Sequence, residues 1–166
     1  RAAQNAKHLI DSGDDPLRIV CDRAHELGMQ LYPTLIVQNG GVNHASVRCS
    51  DFRKQNQHLE IGAAGDLDPD YPGLDGLDLK HREARDERFA IVAEVVDEYP
   101  VDGFELHLNI MPYFFHPDEI DAGRSIMTDW IGRVHEAVKK SGAQRELVIH
   151  LPDRFEDCLN AGLDPE

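Results

Sequence analysis

The sequence predicts an α/β fold in which helices alternate with parallel strands. Three observations carry that reading. Strand-like runs follow helix-like runs with almost no linker, at Gly28-Met29 and at Tyr99-Pro100-Val101, which is the α→β step that builds parallel sheets. In the stretch from Val101 to Asn109, Phe104, Leu106 and Leu108 alternate with Glu105, His107 and Asn109, the two-residue period of a strand. Each of three strand candidates also runs into polar residues at its carboxyl end, where parallel α/β folds bind ligands.

Taken in order, residues 2–12 read as a short helix stopped near Gly13. A second helix has Asp15 as N-cap, Pro16 at the first helical position and Gly28 just past its end. Its apolar positions Leu17, Val20, Ala24 and Leu27 fall three and four apart, a stripe expected to dock on a sheet. Residues 29–38 form the first strand candidate, with a local irregularity expected at Pro33 because proline removes a ladder donor.

That strand ends in the polar loop Gln38 to His44, and residues 45–79 make a long connection. Ser50 to Gln55 has the composition of a short helix start, whereas Asp66 to Gly73 is dense in helix and strand breakers. Asp66, Asp68 and Asp70 echo the spacing of a calcium loop. Tyr71 follows where such a loop needs glycine, so a solvated acidic loop is expected.

A long helix is predicted over residues 80–99, buried along Phe89, Val92, Val96 and Tyr99, widened by Val95, and ended by Pro100. The strand of residues 101–109 follows, then an aromatic loop, residues 110–117, bracketed by Pro112 and Pro117. A helix over 124–140 carries Met127, Trp130, Val134 and Ala137 at helical spacing. Lys139 and Lys140 suit its C-terminal dipole, and Gly142 is placed to cap it. A third strand, residues 146–151, stops at Pro152, and residues 153–163 read as a short helix or loop.

The 166 residues fit one domain with a sizeable core. Seventeen basic against 31 acidic residues, net −14, disfavour nucleic acid and anionic membranes and suit a neutral or cationic ligand. No apolar run reaches the roughly 20 residues of a bilayer span. Three widely spaced cysteines indicate neither a zinc finger nor a disulfide framework, and Cys21 fits a helix core position. Three parallel strands leave two architectures open: a small open sheet, or a segment of an eight-stranded barrel, which takes about 250 residues. The first and last residues suggest an excerpt of a longer chain.

Projected in one direction, the strands bring Asn39 and His44, then Glu105, His107 and Asn109, then His150 toward one rim. A carboxylate there can serve as general acid, base or nucleophile, and the imidazoles can move protons, bind hydroxyls or ligate a metal. Met111, Tyr113, Phe114 and Phe115 offer surfaces for a sugar ring. Each also has a structural reading: hydrogen-bonded strand histidines, Glu105 paired with an arginine, and Phe114 and Phe115 packed under the loop. His8, His25, His58, His116 and His135 are read as structural.

Leu77-Asp78, then His81, Glu83 and Arg85, the long helix, and Val101-Asp102-Gly103-Phe104-Glu105-Leu106 together resemble glycoside-hydrolase-like TIM-barrel proteins, with motifs of the type LDY.HPEVR and DVDGIELDF. Gly28 to Asn39, Ser50-Asp51-Phe52 and Gly162-Leu163-Asp164 resemble further parts of that pattern. The resemblance implies that residues 1–166 are a partial (β/α)8 barrel domain, truncated at both ends. It implies a carbohydrate as substrate or ligand, with hydrolysis of glycosidic bonds as the enzyme class and Glu105 as acid/base. His107, Asn109, Asn39, His44, His150 and Tyr113 would be substrate contacts.

His107 stands where that pattern has aspartate, Asn109-Ile110 where it often has arginine, and His150 where it has arginine before proline. Loss of the strand aspartate removes the most obvious second acid, so a non-catalytic carbohydrate-binding barrel is the alternative. A metal-dependent isomerase or hydrolase built on His44, Glu105, His107 and His150 is a third reading, although no pair has local ligand spacing such as His-x-x-x-His. No cofactor or metal is assigned. Oligomeric state and compartment are not legible in the sequence.

Overall fold

In the computed structural model, which describes residues 2–38, 44–46 and 49–166, helices and strands alternate as the sequence predicts. The order is α1 (Ala2–Asp11), α2 (Pro16–Glu26), β1 (Thr34–Ile36), α3 (Asp51–Gln55), α4 (Arg82–Glu98), β2 (Gly103–His107), α5 (Ile120–Ser141), β3 (Glu146–His150) and α6 (Phe155–Asn160). The strands form one parallel sheet in the order β1-β2-β3, with Thr34 opposite Glu105 and His107 opposite His150. The fold class is therefore α/β.

The pleat decides which face is covered. Phe104 and Leu106 in β2, and Leu108 just beyond it, are fully buried, and Leu35 and Leu147 of the flanking strands pack with them. Against that face lie Val92 and Val96 of α4 and Met127, Trp130, Val134 and Val138 of α5. Each such side chain, fully buried, stabilises the fold by roughly 1.5–3 kcal/mol. The long connection adds Leu59, Leu77 and Leu79, the aromatic loop adds Phe114 and Phe115, and the C-terminal segment adds Cys158, Ala161 and Leu163. On the other face, Thr34, Ile36, Glu146, Val148 and His150 are exposed.

β1 is shorter than the run of residues 29–38. Pro33 has no amide hydrogen to donate, yet its carbonyl accepts from Glu105 N at 2.9 Å, and Leu31 O accepts from Asp102 N at 3.0 Å. Pairing thus continues through carbonyls outside regular strand geometry. Asp102 Oδ2 also accepts from Leu31 N at 2.8 Å. Gly103 is required beside these contacts, because a Cβ there would lie 2.3 Å from the Tyr32 ring and 2.4 Å from Glu146 O.

α2 is capped as expected, with Asp15 Oδ1 accepting from Leu17 N and Arg18 N, but its buried stripe is rotated. Cys21 is fully buried, with Leu17 and Ala24 half-buried beside it, while Val20 and Leu27 are exposed. Polar anchors set that rotation. Arg18 donates to Glu98 O and lies over the Tyr99 ring, Asp15 accepts from Tyr99 Oη at 2.6 Å, and His25 meets Asp102.

α5 starts at Ile120, four residues before the predicted Arg124, because a 3-10 turn over Pro117–Glu119 leads straight into it. Gly142 has φ 178, an extended conformation rather than a left-handed cap. The nearby Arg145 instead closes α4, donating to Val96 O and Tyr99 O, carbonyls left without partners at that helix end. Asp66, Asp68 and Asp70 are exposed, and the Asp68 carboxylate accepts from Asp70 N as a turn. Among the described residues no helix is long and apolar enough to cross a membrane.

Candidate functional site

The strand alternation that buries Phe104 and Leu106 against α4 and α5 turns Glu105 and His107 to the opposite face. Parallel pairing sets His150 directly beside His107, fixed by the hydrogen bond from Leu108 N to His150 O at 2.9 Å. The two imidazole rings are 4.3 Å apart between centroids and inclined by 58°. Glu105 Oε1 lies 3.6 Å from His107 Nδ1 and 3.9 Å from His150 Nδ1. Both separations are too long for hydrogen bonds. Glu105 and His107 are half-buried and His150 is exposed. Three of the residues projected toward one rim, from two strands, thus converge.

A cavity of about 280 Å³ opens just beyond the carboxyl ends of β2 and β3. Asn109, two residues past His107, and Pro152, two past His150, contribute to its wall with Tyr113, Tyr71, Asp157 and Asn160. Tyr71 and Tyr113 meet edge to face, 5.4 Å apart between centroids. Burial pushes the Tyr71 phenol above its usual value, with a smaller contribution from Tyr113. Met111, with φ 51, takes a left-handed conformation uncommon for a side-chain-bearing residue, and Tyr113 N then donates to Met111 O at 2.7 Å. This bend delivers Tyr113 to the cavity while Phe114 and Phe115 turn into the core.

A buried amide holds the cavity's two loops together. Gln38, 2% exposed, donates from Nε2 to Leu77 O and Tyr113 O and accepts at Oε1 from Leu77 N. Asp78, also fully buried, turns the chain by accepting from Lys80 N at 3.0 Å and pairing with Lys80 Nζ at 3.2 Å. The residues at the centre of the Leu77-Asp78 and Asp102-Gly103 motifs therefore shape and fasten the backbone.

His44 does not join the strand trio. Its Nε2 lies 2.7 Å from Glu60 Oε1, and Arg53 Nε reaches the same oxygen at 2.8 Å. Arg53 is itself buried and reaches Asp75 at 3.1 Å, so His44 belongs to a network bracing the long connection. Asn39 lies outside the described residues. Asn109 and Tyr113 are in the rim cavity, and Glu105, His107 and His150 form the trio. Sequence reasoning missed Tyr71, Asp153, Asp157 and Asn160. The i, i+4 spacing of Asp153 and Asp157 across the start of α6 was the available signal. Comparison with protein-family models and with curated proteins finds no match.

Proposed function

We propose that this α/β unit is a segment of a (β/α)8 barrel in a glycoside-hydrolase-like protein, and that it engages a carbohydrate at the carboxyl ends of its strands. Support for the barrel lies in the consecutive strand order with α4 and α5 on a single face. Doubly wound sheets place helices on both faces, whereas a barrel turns one face inward and builds its site at the strand ends.

The rim cavity carries the carbohydrate reading. Tyr71 and Tyr113 offer ring surface for the apolar face of a sugar, and Asn109, Asp153, Asp157 and Asn160 offer donors and acceptors for its hydroxyls. Such a mix of aromatic surface and a few polar groups is what small-molecule sites use. Glu105, on the adjoining strand, is the acid/base, and Asp153 and Asp157 are candidates for the second carboxylate that glycosidic hydrolysis requires. One observation favours binding without hydrolysis: among the described residues, the ion-pairing partners within 4 Å of Glu105 Oε1 are the imidazoles of His107 and His150.

An oligosaccharide panel, followed by calorimetry and by reducing-end release, tests both forms. Tyr113→Ala is expected to weaken binding at least about tenfold, consistent with loss of an aromatic contact. Under the hydrolytic form, Glu105→Gln abolishes release while binding persists. Binding without release, unaffected by Glu105→Gln, selects the non-catalytic form. Neither binding nor release across the panel removes the proposal.

A further inference from the structure

We infer that Glu105, His107 and His150 form a binding site for one divalent first-row transition metal ion, with zinc as the simplest occupant. Each residue offers one donor atom, and the three donors lie within 4.8 Å of one another. Around zinc, ligand atoms about 2.0–2.2 Å from the ion stand about 3.3 Å apart at tetrahedral angles. The two carboxylate–imidazole separations, 3.6 and 3.9 Å, need to close by about 0.3–0.6 Å, and the two imidazole donors, which lie within 4.8 Å of each other, by up to about 1.5 Å. Rotations about side-chain torsions accomplish that without moving a strand.

Among the described residues, none of the three side chains makes a hydrogen bond, although each is fixed at its root by a parallel ladder. Three polar groups brought together without hydrogen bonding one another are the arrangement a cation completes. The chain's net charge of −14 favours encounter with a cation over an anion. Two imidazoles with one carboxylate suit zinc or iron better than calcium or magnesium, which prefer all-oxygen shells. His150 is half exposed, so a further coordination position faces solvent, as in catalytic rather than structural zinc sites.

Residue spacing in the sequence does not display this site, because the ligands come from two strands joined by α5. The inference stands apart from the carbohydrate reading, since occupancy is measured with no sugar present. In the loaded protein Glu105 is a ligand, so its role as a free acid/base belongs to the metal-free form.

Titration of the chelator-stripped, tag-free chain with Co2+, followed by visible absorption and by Zn2+ displacement, tests the site. One equivalent of Co2+ should bind and be displaced one for one by Zn2+. His150→Ala and Glu105→Gln should each weaken binding at least about tenfold, as expected for lost ligands, while His58→Ala and His135→Ala leave it unchanged. His150 is an exposed edge residue, so its alanine variant keeps the core intact, and a thermal melt verifies the fold. No saturable one-equivalent binding, or equal affinity in folded His150→Ala and Glu105→Gln, overturns the inference.

Discussion

His25 Nε2 lies 3.0 Å from Asp102 Oδ2 and joins α2 to the start of β2, 77 residues further along the chain. The same carboxylate oxygen accepts from Leu31 N at 2.8 Å. One acid thereby ties a helix, the approach to β1 and the approach to β2. The Leu31 amide, then the His25 ring, hold the Asp102 carboxyl below its usual value. A depressed carboxylate stabilises the fold above its unfolded pKa, about 3.9, and that contribution is lost as pH falls through the folded value. Urea unfolding of wild type should therefore weaken more steeply below about pH 4 than that of Asp102→Asn. Parallel slopes would show that Asp102 is not the group responsible.

Gln38→Ala should loosen both loops of the rim cavity at once. Removing the amide strands Leu77 N, Leu77 O and Tyr113 O in a buried setting. Each unsatisfied buried group costs about 1–3 kcal/mol, and partial solvation brings the expected loss to about 2–4 kcal/mol. The urea midpoint measures it, and a shift worth less than about 0.5 kcal/mol, within the range of neutral surface changes, contradicts the clamp.

Arg53 is 3% exposed and faces Glu60 and Asp75. Arg53→Ala leaves Glu60 buried with a weaker set of partners, an event that costs about 3–5 kcal/mol for a buried pair. Arg53→Met with Glu60→Leu removes both charges and should recover much of that loss. A double variant no more stable than Arg53→Ala in thermal and urea unfolding would place the cost elsewhere in the network.

Tyr99 donates to Asp15 at 2.6 Å, and this hydrogen bond, followed by burial, pushes its phenol up to about 12. A raised phenol stabilises the fold fully below its unfolded pKa of about 10, and the contribution is lost as pH rises through the folded value. The late-ionising part of an ultraviolet tyrosine titration, to which the raised Tyr32 and Tyr71 phenols also contribute, should shift downward in Asp15→Asn. An unchanged titration curve in that variant would dissociate Tyr99 from the helix cap.

Elements whose order rests on apolar spacing were legible, as α4, α5 and β2 show. In each, burial dominates, and burial leaves a period in the sequence. α2 was half legible: its cap was visible, but the polar anchors that rotate it toward Cys21 involve Glu98, Tyr99 and Asp102, far along the chain. Glu105 and His107 were visible from alternation alone. Their convergence with His150 depends on a strand register set by how α5 packs, and the pairing of His44 with Glu60 depends on the course of a long connection. Neither leaves a local trace. The cavity wall is assembled from Tyr71, Tyr113 and Asn160, which share no motif.

Phe115 is buried in the core, and added Cβ atoms at Gly123 and Gly162 would stand 2.4 and 2.7 Å from its ring. Two bare backbones thus grip one phenyl group from α5 and from the turn after α6. A ring held this way needs the surrounding packing to dilate before it can turn over. Its half-turns should be slow on the NMR timescale, giving separate resonances for its two edges where freely turning phenylalanines give averaged ones. Substituting alanine at either glycine would couple this slow motion to the anchoring of the aromatic loop, and through Tyr113 to the shape of the rim.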